Sequence, residues 1–170
     1  MRKRRVPDRW VVHASPIITL AKAGHLVLMT ALATEVLLPE AVVVEVLEGP
    51  GTDPARQAVE GGWGTRVAVP KVPVTVLEWG LGAGETAVLA VARARGDCTA
   101  ILDDAESRRC ARTLSIPVMG TLGVVVRAKK QGRIALAAMV IGALRTAGLY
   151  VDDALIARVL WESVGEIWSP

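Results

Sequence analysis

Five side chains between positions 13 and 104 carry most of the chemistry this 170-residue chain could do. His13 closes a short apolar run and is followed by Ala14 and Ser15, while Glu45 lies five residues beyond Glu40. Glu85 directly follows the glycine-rich stretch Gly80-Leu81-Gly82-Ala83-Gly84, and Asp103 and Asp104 are neighbours. Carboxylates are hard oxygen donors, and several brought to one place suit Mg²⁺ or Mn²⁺. Such ions promote phosphodiester cleavage by activating water and neutralising charge on the scissile phosphate.

Each of these residues also has a plainer reading. Glu45 fits a solvated helix face. Glu85 near a helix N-terminus is favourable through the helix dipole alone. Asp104 can serve only as a helix cap, and His13 can be an ordinary core histidine. The glycine-rich stretch does not satisfy GxGxxG and lacks a preceding strand and a suitably spaced acid, which argues against a dinucleotide site.

Basic residues lie close by in sequence. Arg108, Arg109 and Arg112 follow Asp104 on one expected helix, with Arg108 and Arg112 on a shared face. Arg127, Lys129 and Lys130 follow the turn Gly120-Thr121-Leu122-Gly123. The free N–H groups of a helix beginning at Gly120 and Thr121 suit a phosphate, although a tight turn explains the same residues. Cations flanking an acidic centre would guide a phosphate backbone toward it. The simpler alternative pairs Arg108 with Asp104 and leaves the rest solvated.

For these residues to meet, the chain must alternate strands and helices. Period and breaker residues predict strands at Trp10–His13, Glu35–Leu38, Thr65–Val69, Cys98–Leu102 and Ile116–Met119. Helices are expected from Pro16, capped by Ser15, to Gly24, and over His25–Ala33, Ala41–Leu47 and Pro54–Glu60. Further helices are expected over Glu85–Arg95, 105–114, from Gly120 to Lys130, Ile134–Thr146 and Asp152–Val164. Ala41–Leu47 contains three consecutive valines and would read as strand in isolation, but Pro39-Glu40 starts a helix well and Glu48-Gly49-Pro50 stops one. Strands separated by helices imply right-handed crossovers and a parallel sheet. Ligands of such sheets bind outside the carboxyl ends of the strands, where His13 and Asp103-Asp104 fall.

Composition agrees with that architecture. The chain is 52% hydrophobic yet only 4% aromatic with no Phe, so Ala, Val, Leu and Ile must build the core, as in a sheet covered on both faces. Its length suits one domain over residues 1–170, with 1–8 a flexible basic arm and 134–170 helices packing on the body. Charged residues at 22% argue against disorder. The net charge of +3 is uneven, with Arg2, Lys3, Arg4 and Arg5 clustered at the start. Two cysteines, Cys98 and Cys110, do not make a disulfide framework or a CxxC zinc site. No apolar signal region follows MRKRR, and the longest apolar stretch is broken by His25, Glu35 and Pro39. No membrane association and a cytoplasmic location are therefore expected.

The chain resembles the PIN-like domain family, in the prokaryotic branch described as predicted nucleic-acid-binding proteins. The stretches that carry the resemblance are VVHASPIITLAKAG (11–24), LLPEAVVVEVLEGPG (37–51), GLGAGETAVLAVARARG (80–96), the long segment from Ala100 to Ile134, and LYVDDALIARVL (149–160). They run nearly end to end in the family's order. The resemblance implies a three-layer α/β fold whose parallel sheet has about five strands flanked by helices. It also implies metal-dependent ribonuclease activity and a frequent role as the toxin of a toxin–antitoxin pair.

Carried over by residue, the resemblance places the family's second acid on Glu45, its third on Glu85 and its fourth on Asp103-Asp104, with Asp104 favoured. Ser15 matches the small hydroxyl residue two positions after the first acid. The first acid is replaced by His13, and Ala87 stands where many relatives carry another Glu. A neutral imidazole supplies one nitrogen and suits Mn²⁺ better than Mg²⁺. The expectation is a Mg²⁺- or Mn²⁺-dependent endoribonuclease toxin with Glu45, Glu85 and Asp104 as catalytic acids. It would act on RNA, be held by a small antitoxin and form a homodimer. The rival readings are a PIN-like module that has lost catalysis and binds nucleic acid or a protein, and a DNA-processing nuclease.

Overall fold

In a computed structural model, residues 8–170 are described. Of the expected basic arm only Asp8 falls among them. The first strand, β1 (Arg9–Val12), buries Trp10, Val11 and Val12 completely. Helices α1 (Ala14–Lys22) and α2 (Val27–Leu32) lead to β2 (Glu35–Pro39). Then come α3 (Glu40–Leu47), α4 (Pro54–Glu60) and β3 (Thr65–Val67). Helices α5 (Val74–Leu77) and α6 (Ala83–Arg95) precede β4 (Cys98–Ile101), α7 (Ala105–Thr113) and β5 (Val118–Met119). The chain closes with α8 (Thr121–Lys130), α9 (Ala137–Thr146) and α10 (Asp153–Val164).

The five strands form one all-parallel sheet in the order β3-β2-β1-β4-β5. Both faces are covered by helices, which is why β1 and β2 are continuous apolar runs rather than alternating ones. The core is aliphatic, with Trp10 its single fully buried aromatic residue among those described. The C-terminal helices α9 and α10 pack on α8, and α9 also reaches α1.

The triple valine of α3 is helical. Val42, Val43 and Val46 are buried on the body of the fold, and that burial outweighs the small helix penalty of β-branched residues.

Several boundaries differ from expectation. The N-cap of α1 is His13, so Ser15 is an exposed first-turn residue and not the cap. β3 stops at Val67 and β5 is only two residues long, because the sheet edges have one neighbour each and little pairing to extend them. α6 begins at Ala83 with Gly82 as its N-cap, taking part of the glycine stretch into its first turn. The one-turn α5, inside the Pro-rich stretch, has no periodicity that sequence reading could detect.

Among the described residues no helix is long and apolar enough to cross a membrane. Both cysteines are free and buried. Burial, followed by the hydrogen bond to Asp97 and its charge, pushes the Cys98 thiol up to about 11, which keeps it protonated and unreactive at neutral pH. Burial also raises the Cys110 thiol.

Candidate functional site

From β1 the chain winds outward through β2 and β3, then returns to place β4 and β5 on the other side. The strand order reverses between β1 and β4, and the carboxyl ends at such a switch point are where the ligand crevice of an open parallel sheet lies. His13 is the first residue beyond β1. Its backbone N–H donates to Ile101 O at 3.1 Å, which ties the ends of β1 and β4 together.

The His13 ring points into this crevice, with only 9% of its side chain exposed. Its Nε2 lies 3.3 Å from Glu45 Oε2 and 3.8 Å from Glu85 Oε1. Neither approach is aligned as a hydrogen bond, so Nε2 is buried without a partner among the described residues. Glu45, on the second turn of α3, keeps 45% of its side chain exposed, and Glu85, on the first turn of α6, keeps 21%. The acids therefore face water from one side and the imidazole from the other.

The glycine stretch makes room for this arrangement. A Cβ on Gly84 would stand 2.7 Å from His13 Nε2 and 2.8 Å from Glu45 Oε2. A Cβ on Gly82 would stand 2.5 Å from Glu85 Oε2. Real Cβ atoms do not approach so closely, so these two glycines are clearances for the three side chains of His13, Glu45 and Glu85. The sequence marks the stretch as leading into the helix that carries Glu85 and as no dinucleotide loop, but the need for clearance at Gly82 and Gly84 shows only in the structure. The two glycines stand one and three residues before Glu85. Ala87 is buried and faces away from solvent.

Asp103 and Asp104 do not join the His13 group by any direct contact among the described residues. Asp103 accepts from the Thr121 backbone N–H at 2.7 Å and from its hydroxyl at 2.6 Å. Asp104 is the N-cap of α7 and accepts from Ser107 N–H at 2.8 Å. The expected phosphate cradle at Gly120-Thr121 is thereby corrected in part. The Thr121 amide already binds an anion, and that anion is the chain's own Asp103.

The basic residues separate into two groups. Arg108 lies over Gly120, where a Cβ would fall 2.5 Å from its Nη1, and among the described residues neither Arg108 nor Arg112 has an ion-pair partner. Arg109 instead pairs with Glu106 at 3.4 Å and stacks over Trp79 at 5.4 Å.

Helix α8 carries the other group away from the crevice, since ten residues span about 15 Å. Arg127 pairs with Asp8 at the start of β1 and lies over Trp10. Lys129 donates to Ala135 O and lies 3.4 Å from Glu166, and Lys130 is exposed at the helix end. Arg127, Lys129 and Lys130, expected on one nucleic-acid face with Arg108, lie on the last turn of α8, with Arg127 beside the start of β1 and Lys129 beside α9.

The donor set at the crevice has two carboxylates and one imidazole. Among the described residues no group of three or more His, Cys, Asp or Glu side chains is already arranged as a metal cage. The orphaned Nε2 is nonetheless the kind of buried donor atom that a divalent cation satisfies, and both nearby acids are hard ligands.

A five-stranded parallel sheet flanked by helices, with His13, Glu45 and Glu85 together at its switch point, is a three-layer α/β architecture of the PIN-like kind. Residues 9–166 match the family DUF3368, described as PIN domain, and the chain belongs to that family. No curated protein matches the chain. PIN domains are in general nucleic-acid-directed and depend on divalent metals.

Proposed function

We propose that this chain is a divalent-metal-dependent ribonuclease whose centre is His13, Glu45 and Glu85. The observation that carries the reading is the buried, unpartnered Nε2 of His13 facing two carboxylates at the switch point of the sheet. His13, Glu45 and Glu85 would hold the ion, which when bound supplies water activation and charge neutralisation at the scissile phosphate.

The residues divide the remaining work. Glu45, the more exposed acid, is placed to accept a proton from water on the open side. Glu85 is held against the Gly82 backbone and orients the donor set. Asp103 anchors α8 through Thr121, and Asp104 fixes the start of α7, so both act as positioning residues at the rim. One nitrogen among the donors favours Mn²⁺ over Mg²⁺. RNA as substrate, and neutralisation by a small antitoxin, rest on the family resemblance and not on a contact in this chain.

The test is cleavage of a mixed single-stranded RNA pool, with single-stranded DNA alongside, in Mn²⁺, Mg²⁺ or EDTA. Cutting of RNA in Mn²⁺, less in Mg²⁺ and none in EDTA is expected, and Glu85→Gln is expected to fall to the EDTA level. Cutting that persists in EDTA, or that Glu85→Gln leaves intact, would remove these residues from the mechanism. A second reading, a binding module without catalysis, is favoured by one observation. Both oxygens of Asp103 and one of Asp104 are already engaged by the chain's own donors. Folded protein that binds RNA and never cuts it would make that reading the account of the chain.

A further inference from the structure

A cleft of about 420 Å³ opens beside the crevice, between α7 and the loop joining α9 to α10. Arg108 and Arg112 line one wall, Leu122 and Leu155 supply apolar surface, and Asp103 connects the cleft to the carboxyl end of β4. Tyr150 stands at the rim, fully exposed.

Three features set this cleft apart. Arg108 and Arg112 are one turn apart on one helix face and lack ion-pair partners among the described residues, whereas Arg109, Arg127 and Arg145 all have one. The acids in the lining are already engaged, Asp103 by Thr121 and Asp152 by the amides of Ala154 and Leu155 at the start of α10. An arriving anion therefore meets two guanidiniums without ion-pair partners among the described residues, while the two lining carboxylates, still charged, have oxygens already turned to the chain's own donors. Finally, Tyr150 is the only tyrosine of the chain, and its side chain stands fully in solvent at the rim of the cleft instead of in the core. An exposed ring next to paired cations fits a base and a phosphate.

We propose that this cleft is a nucleotide subsite for single-stranded nucleic acid, seating one base on Tyr150 and the adjoining phosphate between Arg108 and Arg112. The inference rests on the nuclease reading for the path of the strand, which would run from the subsite past Asp103 to His13. A duplex does not fit, because its bases are stacked and paired and cannot reach the ring. Stacking and phosphate contacts do not read the 2′-hydroxyl, so RNA and DNA single strands should both bind.

The experiment uses the full chain in EDTA, with fluorescein-labelled oligouridylate and oligodeoxythymidylate as probes and anisotropy as the readout. Loss of one base stack corresponds to about a tenfold or greater rise in Kd, which is the effect expected for Tyr150→Ala. Tyr150→Phe keeps the ring and should bind within about twofold of the parent. Arg108→Gln and Arg112→Gln should each weaken binding. Tyr150 is exposed, so these variants are expected to fold, and a thermal melt confirms it. The proposal is overturned if the parent does not bind either oligonucleotide, or if Tyr150→Ala binds as the parent does. Binding that requires Tyr150 without any metal-dependent cutting would keep the subsite and remove the nuclease reading. Metal-dependent cutting by a Tyr150→Ala variant of unchanged affinity would do the reverse.

Discussion

At Gly84 a single added methyl group would meet the least and the most movable members of the site at once. Glu45 can swing its exposed carboxylate away, but His13 is buried and its ring has nowhere to go. Gly84→Ala is therefore expected to cost about 1–3 kcal/mol of thermal stability, the scale of an overpacked site, while pushing Glu45 off His13. Mn²⁺ affinity, read by calorimetry, should fall at least about tenfold, as for lost ligand support in other metal sites. Unchanged Mn²⁺ affinity in a well-folded variant would mean that the ion does not sit among these three side chains. The three could be picked out in sequence because each follows a strand end or a helix start, and local breakers mark those points. Asp103 and Asp104 were equally visible as residues, but their partners Thr121 and Ser107 were not. A carboxylate at a strand end looks the same in sequence whether it waits for a cation or already holds an amide.

Among the elements, α9 shows how distant residues complete one another. The N-terminus of α9 has no side-chain cap from its own N-cap Leu136, and the amides of Ala137 and Ala138 are instead taken by Glu166 at 3.0 and 2.8 Å. Burial works to raise the Glu166 carboxyl, but those two amides and the Lys129 ammonium more than compensate and hold it below its usual 4.5. A depressed carboxylate stabilises the fold above pH 4.5, and that contribution is lost as the pH falls below this value. Glu166→Gln should thus cost about 1 kcal/mol near neutral pH, the scale of a lost cap, and the difference from the parent should shrink in melts below pH 4.5. A gap that is independent of pH across that range would assign the loss to packing and not to charge. Nothing local predicts this cap, since Glu166 lies beyond α10. Helix α8 was legible in extent but not in direction relative to the crevice, which is why Arg127 and Lys129 appeared to belong with Arg108. Elements with strong local signals, such as Pro39-Glu40 opening α3 and Pro54 opening α4, are readable because the signal lies within one turn.

Taken as a whole molecule, the net charge of +3 is a poor guide to where a polyanion would bind. Arg9 faces Glu35 and Asp97, Arg56 faces Glu60, Arg127 faces Asp8 and Arg145 faces Asp153. Most of these pairs join separate elements, Arg56–Glu60 lies within α4, and each cation already faces a carboxylate. Arg108 and Arg112 are different in position as well as pairing, because they lie at the carboxyl edge beside the crevice. Single-stranded nucleic acid binding weakens with salt in proportion to the phosphates neutralised, at about 0.7 in log–log slope for each. The double variant Arg108→Gln/Arg112→Gln should therefore lower the slope of log Kd against log salt by about 1.4. Arg127→Gln should leave that slope where it is and lower the melting temperature instead, since it removes the contacts to Asp8 and Trp10. An equal loss of slope in both variants would mean that the strand wraps the molecule without using the crevice edge. A loss confined to the double variant would place the phosphates along α7, on the side of the sheet where the fold also gathers His13, Glu45 and Glu85.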